Sequence, residues 1–236
     1  MLKPDDEAVR TADGSCTRFS DRYQQTYHST HGAETEARHV YLDASGVTER
    51  LRTGKATRIM EIGFGLGLNF LLTADAALGY SAPLTYHAFD HDLPDIAVLR
   101  STHYGSLLNH PECYEHLLRS LLTQEHQTTV HIKFSAVINL KLSLRDASTA
   151  AFDLHQSDAA YFDAVYLDPF SPDVNGECWS AHFIQKLSAV VRPGGTLTTY
   201  SAKGSVRRYL QEAGMQVTKA PGPPGKREFI IAKKDC

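Results

Sequence analysis

The chain has 236 residues, 42% of them hydrophobic, with 24 Lys and Arg against 27 Asp and Glu and a formal net charge of −3. That length suffices for one α/β domain burying roughly 70–75% of its unfolded surface, and the charge balance excludes a protein that is basic throughout. No apolar run nears the ~20 residues of a membrane span, no secretory core follows Lys3-Pro4-Asp5-Asp6-Glu7, and the four cysteines form no Cys-x-x-Cys pair, so a cytoplasmic protein without disulfides or zinc is expected.

Residues 1–55 are polar, with Tyr23, Tyr27 and Tyr41 among Ser and Thr. They read as an N-terminal extension of one hairpin or strand pair plus turns, packed on the domain at 56–236. The first strand of that domain, Arg58–Ile62, delivers Glu61 and then Gly63-Phe64-Gly65-Leu66-Gly67 ahead of a helical pattern over Asn69–Leu78. Alternate glycines let backbone amides approach a ligand without interference from Cβ, and the following helix turns its positive end to the same spot. The order Glu-x-Gly-x-Gly-x-Gly differs from the dinucleotide fingerprint in period and in the place of the acid. A carboxylate there repels a pyrophosphate but suits a ligand carrying an amine and a sulfonium, so S-adenosylmethionine fits better than NAD. A simple tight turn is the structural alternative.

The next strand, Leu84–Phe89, ends in Asp90-His91-Asp92. A carboxylate at this place commonly takes the ribose hydroxyls of an adenosine ligand; Asp90 is the candidate, with Asp92 the second choice or a helix N-cap. The twelve histidines show no metal-ligand spacing, since His87 and His91 straddle a strand end instead of sharing a helix face. A helix over Glu112–Gln124 and a strand over Val130–Phe134 follow.

The strand Ala164–Leu167 empties into Asp168-Pro169-Phe170-Ser171-Pro172. Asp168 falls at the carboxyl end of a central strand, where ligands lie in open α/β sheets. The prolines stiffen the loop, and Phe170 offers a flat wall for a base. A nitrogen nucleophile needs its lone pair free and aligned with the departing sulfonium, and a carboxylate can bind the ammonium, accept its proton and fix that line. A purely structural Asp-Pro turn is the alternative. Trp179, the only tryptophan, is either a stacking wall of the target pocket or a core anchor.

Helices over Ala181–Val191 and Ser205–Ala213 flank a strand over Thr196–Tyr200. The runs Met215–Thr218 and Glu228–Ala232, joined by Ala220-Pro221-Gly222-Pro223-Pro224-Gly225, leave no room for a helix and should pair antiparallel. The expected fold is α/β and Rossmann-like: a doubly wound, mostly parallel seven-stranded sheet closed by an antiparallel hairpin. From Lys186 onward ten bases stand against three acids, a net of +7 that leaves −10 for the remainder. Such asymmetry either places a basic face on an acidic protein or is a solvated surface.

Four stretches, in order, resemble the MnmC-type methyltransferases, bacterial tRNA-modifying enzymes that complete 5-methylaminomethyl-2-thiouridine at the anticodon wobble position. They are Tyr27–Ala33 with Val40–Leu42; Glu61–Phe70; Leu167–Pro172 with Trp179; and Arg192–Leu197 through Val206–Leu210, Glu212–Gly214 and Lys226–Glu228. The resemblance spans nearly the whole chain. It implies a class I methyltransferase that moves a methyl group from S-adenosylmethionine to the primary amine of 5-aminomethyl-2-thiouridine in a tRNA anticodon stem-loop, releasing S-adenosylhomocysteine. It implies Asp168 facing the amine as the catalytic residue, Glu61, Gly63, Gly65, Gly67, Asn69, Asp90 and Tyr27 on the cofactor, and Phe170, Pro172, Trp179, Lys203, Arg207 and Arg208 on the tRNA. Fused members add a flavin-dependent oxidase; the chain looks like the stand-alone form, with no FAD, metal, membrane or obligate protein partner expected. Two departures stand out. Where the family shows Gly-Asp-Ala after the third strand, its Asp holding the adenine amine, the aligned run here is Phe134-Ser135-Ala136-Val137; and Pro169 replaces a frequent Gly. The competing readings are an N-methyltransferase of another amine and a catalytically impaired tRNA-binding homologue.

Overall fold

The structure, a computed structural model, describes residues 8–124, 127–150 and 161–236. Two short antiparallel hairpins open it, β1 (Val9–Arg10) with β2 (Cys16–Thr17) and β3 (Phe19–Ser20) with β4 (Gln25–Thr26). A helical arch follows: α1 (Ala33–Glu36), a π-helical segment (Ala37–Asp43) and α2 (Val47–Arg52). This arch corrects the expectation of a hairpin and turns. Ala33, Ala37, Val40 and Tyr41 recur three and four apart, a helical stripe that is buried in one core with Val47 and Leu51. The polar residues between them, from Glu34 to His39, mask that stripe in the sequence.

Eight strands form the main sheet: β5 (Thr57–Ile62), β6 (Leu84–Asp90), β7 (Thr129–Lys133), β8 (Ile138–Leu144), β9 (Phe162–Leu167), β10 (Val191–Thr199), β11 (Met215–Pro221) and β12 (Glu228–Lys234), in the order β11-β12-β10-β9-β5-β6-β8-β7. The five strands from β10 to β8 are parallel, and β12 runs antiparallel to both β10 and β11. The C-terminal hairpin therefore lies where the short Pro-Gly connection places it. The other edge differs from expectation. Thr129–Lys133 is an antiparallel edge strand, and the parallel neighbour of β6 is β8. In β8, Asn139, Lys141 and Ser143 alternate with Ile138, Leu140 and Leu142, so the run lacks the continuous apolar character of a parallel strand buried on both faces.

Helices α3 (Leu68–Gly79) and α5 (Glu112–Thr123) join the arch on one face, while α6 (Ala181–Val190) and α7 (Gly204–Glu212) cover the other; α4 (Ile96–Arg100) lies between β6 and α5. Phe70 of α3 is fully buried between Tyr86 and Phe134, with ring centroids 5.1 and 5.0 Å away. Burying one such side chain contributes roughly 1.5–3 kcal/mol, which fixes α3 and with it the loop that precedes it. Among the described residues no helix is long and apolar enough to cross a membrane.

Candidate active site

Two cavities open at the carboxyl ends of the central strands. The first, about 430 Å³, is walled by Ile62–Gly65, Phe89–Asp92, Arg145–Ala147 and the loop after β9. The second, about 380 Å³, lies between Gln25–Ser29, Glu36, Tyr200 and Lys226. Tyr27, His28, Asp168, Pro169 and Phe170 line both, so Asp168 stands at the junction.

Asp168 is held from both sides. The Tyr41 hydroxyl, brought in by the helical arch, donates to Oδ1 at 2.5 Å; Asn69 Nδ2, on the first turn of α3, donates to Oδ2 at 2.8 Å and also to Glu61 Oε1 at 2.9 Å. Burial pushes the Asp168 carboxyl up to about 7, against the pull of the Tyr41 hydrogen bond; the Glu36 charge adds to the rise, while Asn69 and Lys226 oppose it. A carboxyl poised near neutrality exchanges protons at working pH.

Glu61 is only 1% exposed and lines neither cavity. Burial pushes its carboxyl well up, and Asn69's hydrogen bond pulls the other way. Asn69, which lines neither cavity, bridges the two acids: it donates to Glu61 and to Asp168, so Glu61 orients Asn69 and Asn69 orients Asp168.

All three loop glycines adopt left-handed backbone, with φ of 89° at Gly63, 53° at Gly65 and 79° at Gly67. A Cβ on Gly63 would lie 2.5 Å from the Asp168 carbonyl oxygen, and one on Gly65 3.0 Å from the Tyr27 ring. Gly63 thus lets the loops after β5 and β9 meet and Gly65 makes room for Tyr27, constraints the sequence motif does not announce. Gly67 lies outside the cavity, at the N-cap of α3. Asp90 accepts from the Gly65 amide at 2.8 Å and the Asp92 amide at 3.0 Å, pinning the glycine loop while facing the first cavity. Asp92 pairs with Arg22 at 3.1 Å, and the residue at the N-cap of α4 is Asp95.

A carboxylate does follow the third parallel strand. Because β8, not β7, is the third parallel strand, the run that follows it is Arg145-Asp146-Ala147, on the wall of the first cavity. Asp146 Oδ1 accepts from the backbone and the hydroxyl of Ser148, both at 2.8 Å.

Between the two cavities, Phe170 stacks on Tyr23 of the first with centroids 4.2 Å apart and meets Tyr27 edge-on at 4.9 Å. Gln25 clasps Ser171, donating to its hydroxyl at 2.8 Å and accepting from its amide at 3.3 Å. The β3–β4 hairpin is thereby fastened over the Asp168 loop, and one face of Phe170 is already occupied. Trp179 is 3% exposed, donates its indole N–H to the Phe170 carbonyl at 2.8 Å and meets Tyr200 edge-on. It is a core anchor beneath the loop and lines neither cavity; nor does Pro172. Lys203 pairs with Asp173 at 2.6 Å and Arg208 approaches Glu212 at 3.7 Å; with Arg207 they lie outside both cavities. Sequence reasoning gave no role to Tyr41, Tyr23 and Gln25, nor to Lys226, which pairs with Glu36 and sits 4.1 Å above the Tyr200 ring. Only Tyr41 carried a signal, as part of the arch's helical stripe. Among the described residues no group of three or more His, Cys, Asp or Glu is placed to hold a metal ion.

Residues 109–235 match the model of a family described as S-adenosyl-L-methionine-dependent methyltransferase. The chain is 35% identical over 222 residues to the tRNA 5-methylaminomethyl-2-thiouridine biosynthesis bifunctional protein MnmC of Ralstonia nicotianae, covering 92% of this chain and 33% of the relative. It is 34% identical over 246 residues to the protein of that name in Cupriavidus metallidurans, covering 96% and 34%. The chain thus spans about a third of the length of these curated relatives. The crystal structure of MNMC2 from Aquifex aeolicus superposes with a TM-score of 0.77 at 26% identity, over 96% of this chain and 69% of that one. With a glycine loop, a carboxylate after the second parallel strand and an Asp-Pro loop around one cavity, and with more than half its length matched, the chain belongs to the S-adenosyl-L-methionine-dependent methyltransferase family.

Proposed function

We propose that this protein methylates the aminomethyl nitrogen of 5-aminomethyl-2-thiouridine at the wobble position of tRNA, using S-adenosylmethionine. The observation that carries the reading is the place of Asp168, a carboxyl shared by two cavities and poised near neutrality. The names of the relatives, and similarity spread over most of this chain, support the choice of substrate.

The first cavity fits the cofactor: Asp90 and Asp146 offer carboxylates for hydroxyl and amine groups, and Ile62, Phe89 and Ala147 offer an apolar wall. When bound, S-adenosylmethionine supplies an electrophilic methyl group on a sulfonium. Asp168 in its ionised form binds the substrate ammonium from the second cavity and takes its proton, which frees the nitrogen lone pair. That lone pair forms the N–C bond as the C–S bond breaks. Tyr41 and Asn69 each hold one carboxylate oxygen, so the group keeps its orientation while leaving lone pairs for the substrate. Tyr23, Tyr27 and Phe170 form an aromatic wall that limits water at the junction. A positioned proton acceptor of this kind contributes typically about 10²–10⁴-fold to rate.

The test is to incubate the protein with labelled S-adenosylmethionine and tRNA from cells lacking the final methylation, then digest and identify the labelled nucleoside by mass. Label in 5-methylaminomethyl-2-thiouridine is the expected result. No label in tRNA, with methylation of another amine, would replace this substrate while keeping the reaction class.

A further inference from the structure

Among the described residues, Lys226 is the one Lys or Arg on the wall of the second cavity, which it shares with Asp168 and Glu36. The connection between β11 and β12 delivers it. That connection is closed by hydrogen bonds from the Gly222 amide to the Arg227 carbonyl at 3.1 Å and from the Lys226 amide to the Pro223 carbonyl at 2.9 Å. His39 Nε2 donates to the Pro221 carbonyl at 2.9 Å, which fixes the connection against the arch that carries Glu36 and Tyr41.

The ammonium is held as well as the backbone. It pairs with one oxygen of Glu36, whose other oxygen accepts from the Ser29 amide at 3.0 Å, and it lies 4.1 Å above the Tyr200 ring. Tyr200 donates its hydroxyl to the Pro169 carbonyl at 3.0 Å and its amide to the Tyr41 hydroxyl at 3.4 Å. The ring under Lys226 is therefore tied to the loop after β9 and to the residue that orients Asp168. An ammonium has three N–H donors. Glu36 takes one and the ring face a second, and among the described residues no further acceptor bonds the third. The Lys226 side chain is 25% exposed against 9% for Glu36, so the ammonium keeps an open side where it lines the cavity.

Charge decides what that donor fits. Glu36 neutralises Lys226, and Asp168 stands in the same cavity, so a phosphate entering it would meet two carboxylates. A neutral base that brings an ammonium to Asp168 and a carbonyl oxygen to Lys226 meets no such repulsion. In uracil the aminomethyl arm leaves from C5. Of the ring atoms beside C5, C6 bears a hydrogen and C4 bears the carbonyl oxygen O4, so the amine and one acceptor lie on adjacent carbons.

We propose that Lys226 is a specificity-determining residue: its third N–H donates to O4 of the acceptor base while Asp168 holds the aminomethyl nitrogen, with Glu36 and Tyr200 fixing the ammonium. The assignment rests on the aminomethyl-uridine substrate proposed above and adds how the base is told from another pyrimidine. A cytosine with the same arm presents an amino group in place of O4, donor against donor, and a site built to hydrogen-bond one group rejects the analogue that lacks it.

The experiment uses two anticodon stem-loops that differ only in the wobble base, 5-aminomethyl-2-thiouridine or 5-aminomethyl-2-thiocytidine. It measures kcat/KM for methylation, and Kd in the presence of S-adenosylhomocysteine. The parent should favour the uridine loop by about tenfold to a hundredfold, Lys226→Met should bring the two loops within about threefold, and Lys226→Arg should keep most of the preference. Losing the Lys226 charge also lets the Asp168 carboxyl rise, but that acts on both loops alike and leaves their ratio unmoved. Tm and S-adenosylmethionine affinity report folding. Because Lys226→Met strands the buried Glu36, a Glu36→Gln and Lys226→Met double variant takes its place if the single one does not fold. A parent without preference, or a folded variant that keeps it, would overturn the assignment. So would a loss equal on both loops that disappears at high salt, which would set the ammonium on a phosphate. If the uridine loop binds more tightly and Lys226→Met abolishes that difference, yet the parent methylates neither loop, the recognition stands and the assigned reaction falls.

Discussion

Tyr41→Phe removes one hydroxyl and keeps the ring, which packs 5.4 Å from Tyr166. That hydroxyl donates to Asp168 at 2.5 Å and is the largest influence holding down a carboxyl that burial has pushed up to about 7. A hydrogen bond to a charged group is worth roughly 1.5–3 kcal/mol, and about 1.4 kcal/mol moves a pKa by one, so the variant's carboxyl should titrate at roughly 8–9. The reactive form is the carboxylate, so activity rises with pH through this value. Near pH 7 about half of the parent is ionised but only about a tenth to a hundredth of the variant, which implies a loss of roughly five- to fiftyfold that recovers near pH 9. The assay is kcat/KM for the acceptor against pH at saturating S-adenosylmethionine, since that profile reports the free enzyme's groups. A midpoint unchanged from the parent, or a loss of equal size at every pH, would refute the role of Tyr41 in setting Asp168.

The same carboxyl has a consequence for stability. Its folded pKa of about 7 lies above the ordinary 3.8, so the ionised group costs the fold stability as pH rises between those values, and Asp168→Asn should raise Tm relative to the parent more at pH 8 than at pH 5; equal differences at both would contradict the shift. Asp146→Ala should weaken S-adenosylmethionine binding by about fivefold, the worth of one hydrogen bond near 1 kcal/mol, and an unchanged Kd by calorimetry would remove Asp146 from the site. Trp179→Phe strands the Phe170 carbonyl and should cost about 1–3 kcal/mol in denaturant unfolding, whereas a rise in tRNA KM without loss of stability would return the indole to the target pocket. Gly63→Ala sets a Cβ 2.5 Å from the Asp168 carbonyl at a left-handed φ, and should yield little folded protein; a stable, active variant would show that the two loops do not need to touch.

Much of this was legible in the sequence because it rests on local patterns. The apolar run into Gly63, Gly65 and Gly67, the Asp168-Pro169 loop at a strand end and the Pro-Gly connection before β12 each specify their own backbone. What escaped were features set by partners distant in the chain. β8 hides because one of its faces is left polar, and misplacing it made Asp146 look absent. Glu61 reads as a ligand-facing acid because of its place at the strand end; its burial against Asn69 of α3 shows only in the packed structure. Tyr41 reaches Asp168 across 127 residues of sequence separation, and nothing local marks it as that carboxylate's donor. Phe170 looked like a free wall, and Trp179 stayed open between wall and core anchor, because a sequence does not show that Tyr23 takes one ring face and that the indole N–H donates to the Phe170 carbonyl.

The most direct measurement is a structure of the protein bound to S-adenosylhomocysteine and a tRNA anticodon stem-loop carrying 5-aminomethyl-2-thiouridine. The carboxylate reading expects the aminomethyl nitrogen within about 2.6–3.2 Å of an Asp168 oxygen, with Tyr41 and Asn69 still in place and the thioether in the first cavity. An aminomethyl group lodged elsewhere, with Asp168 bonded only to Tyr41 and Asn69, would contradict it.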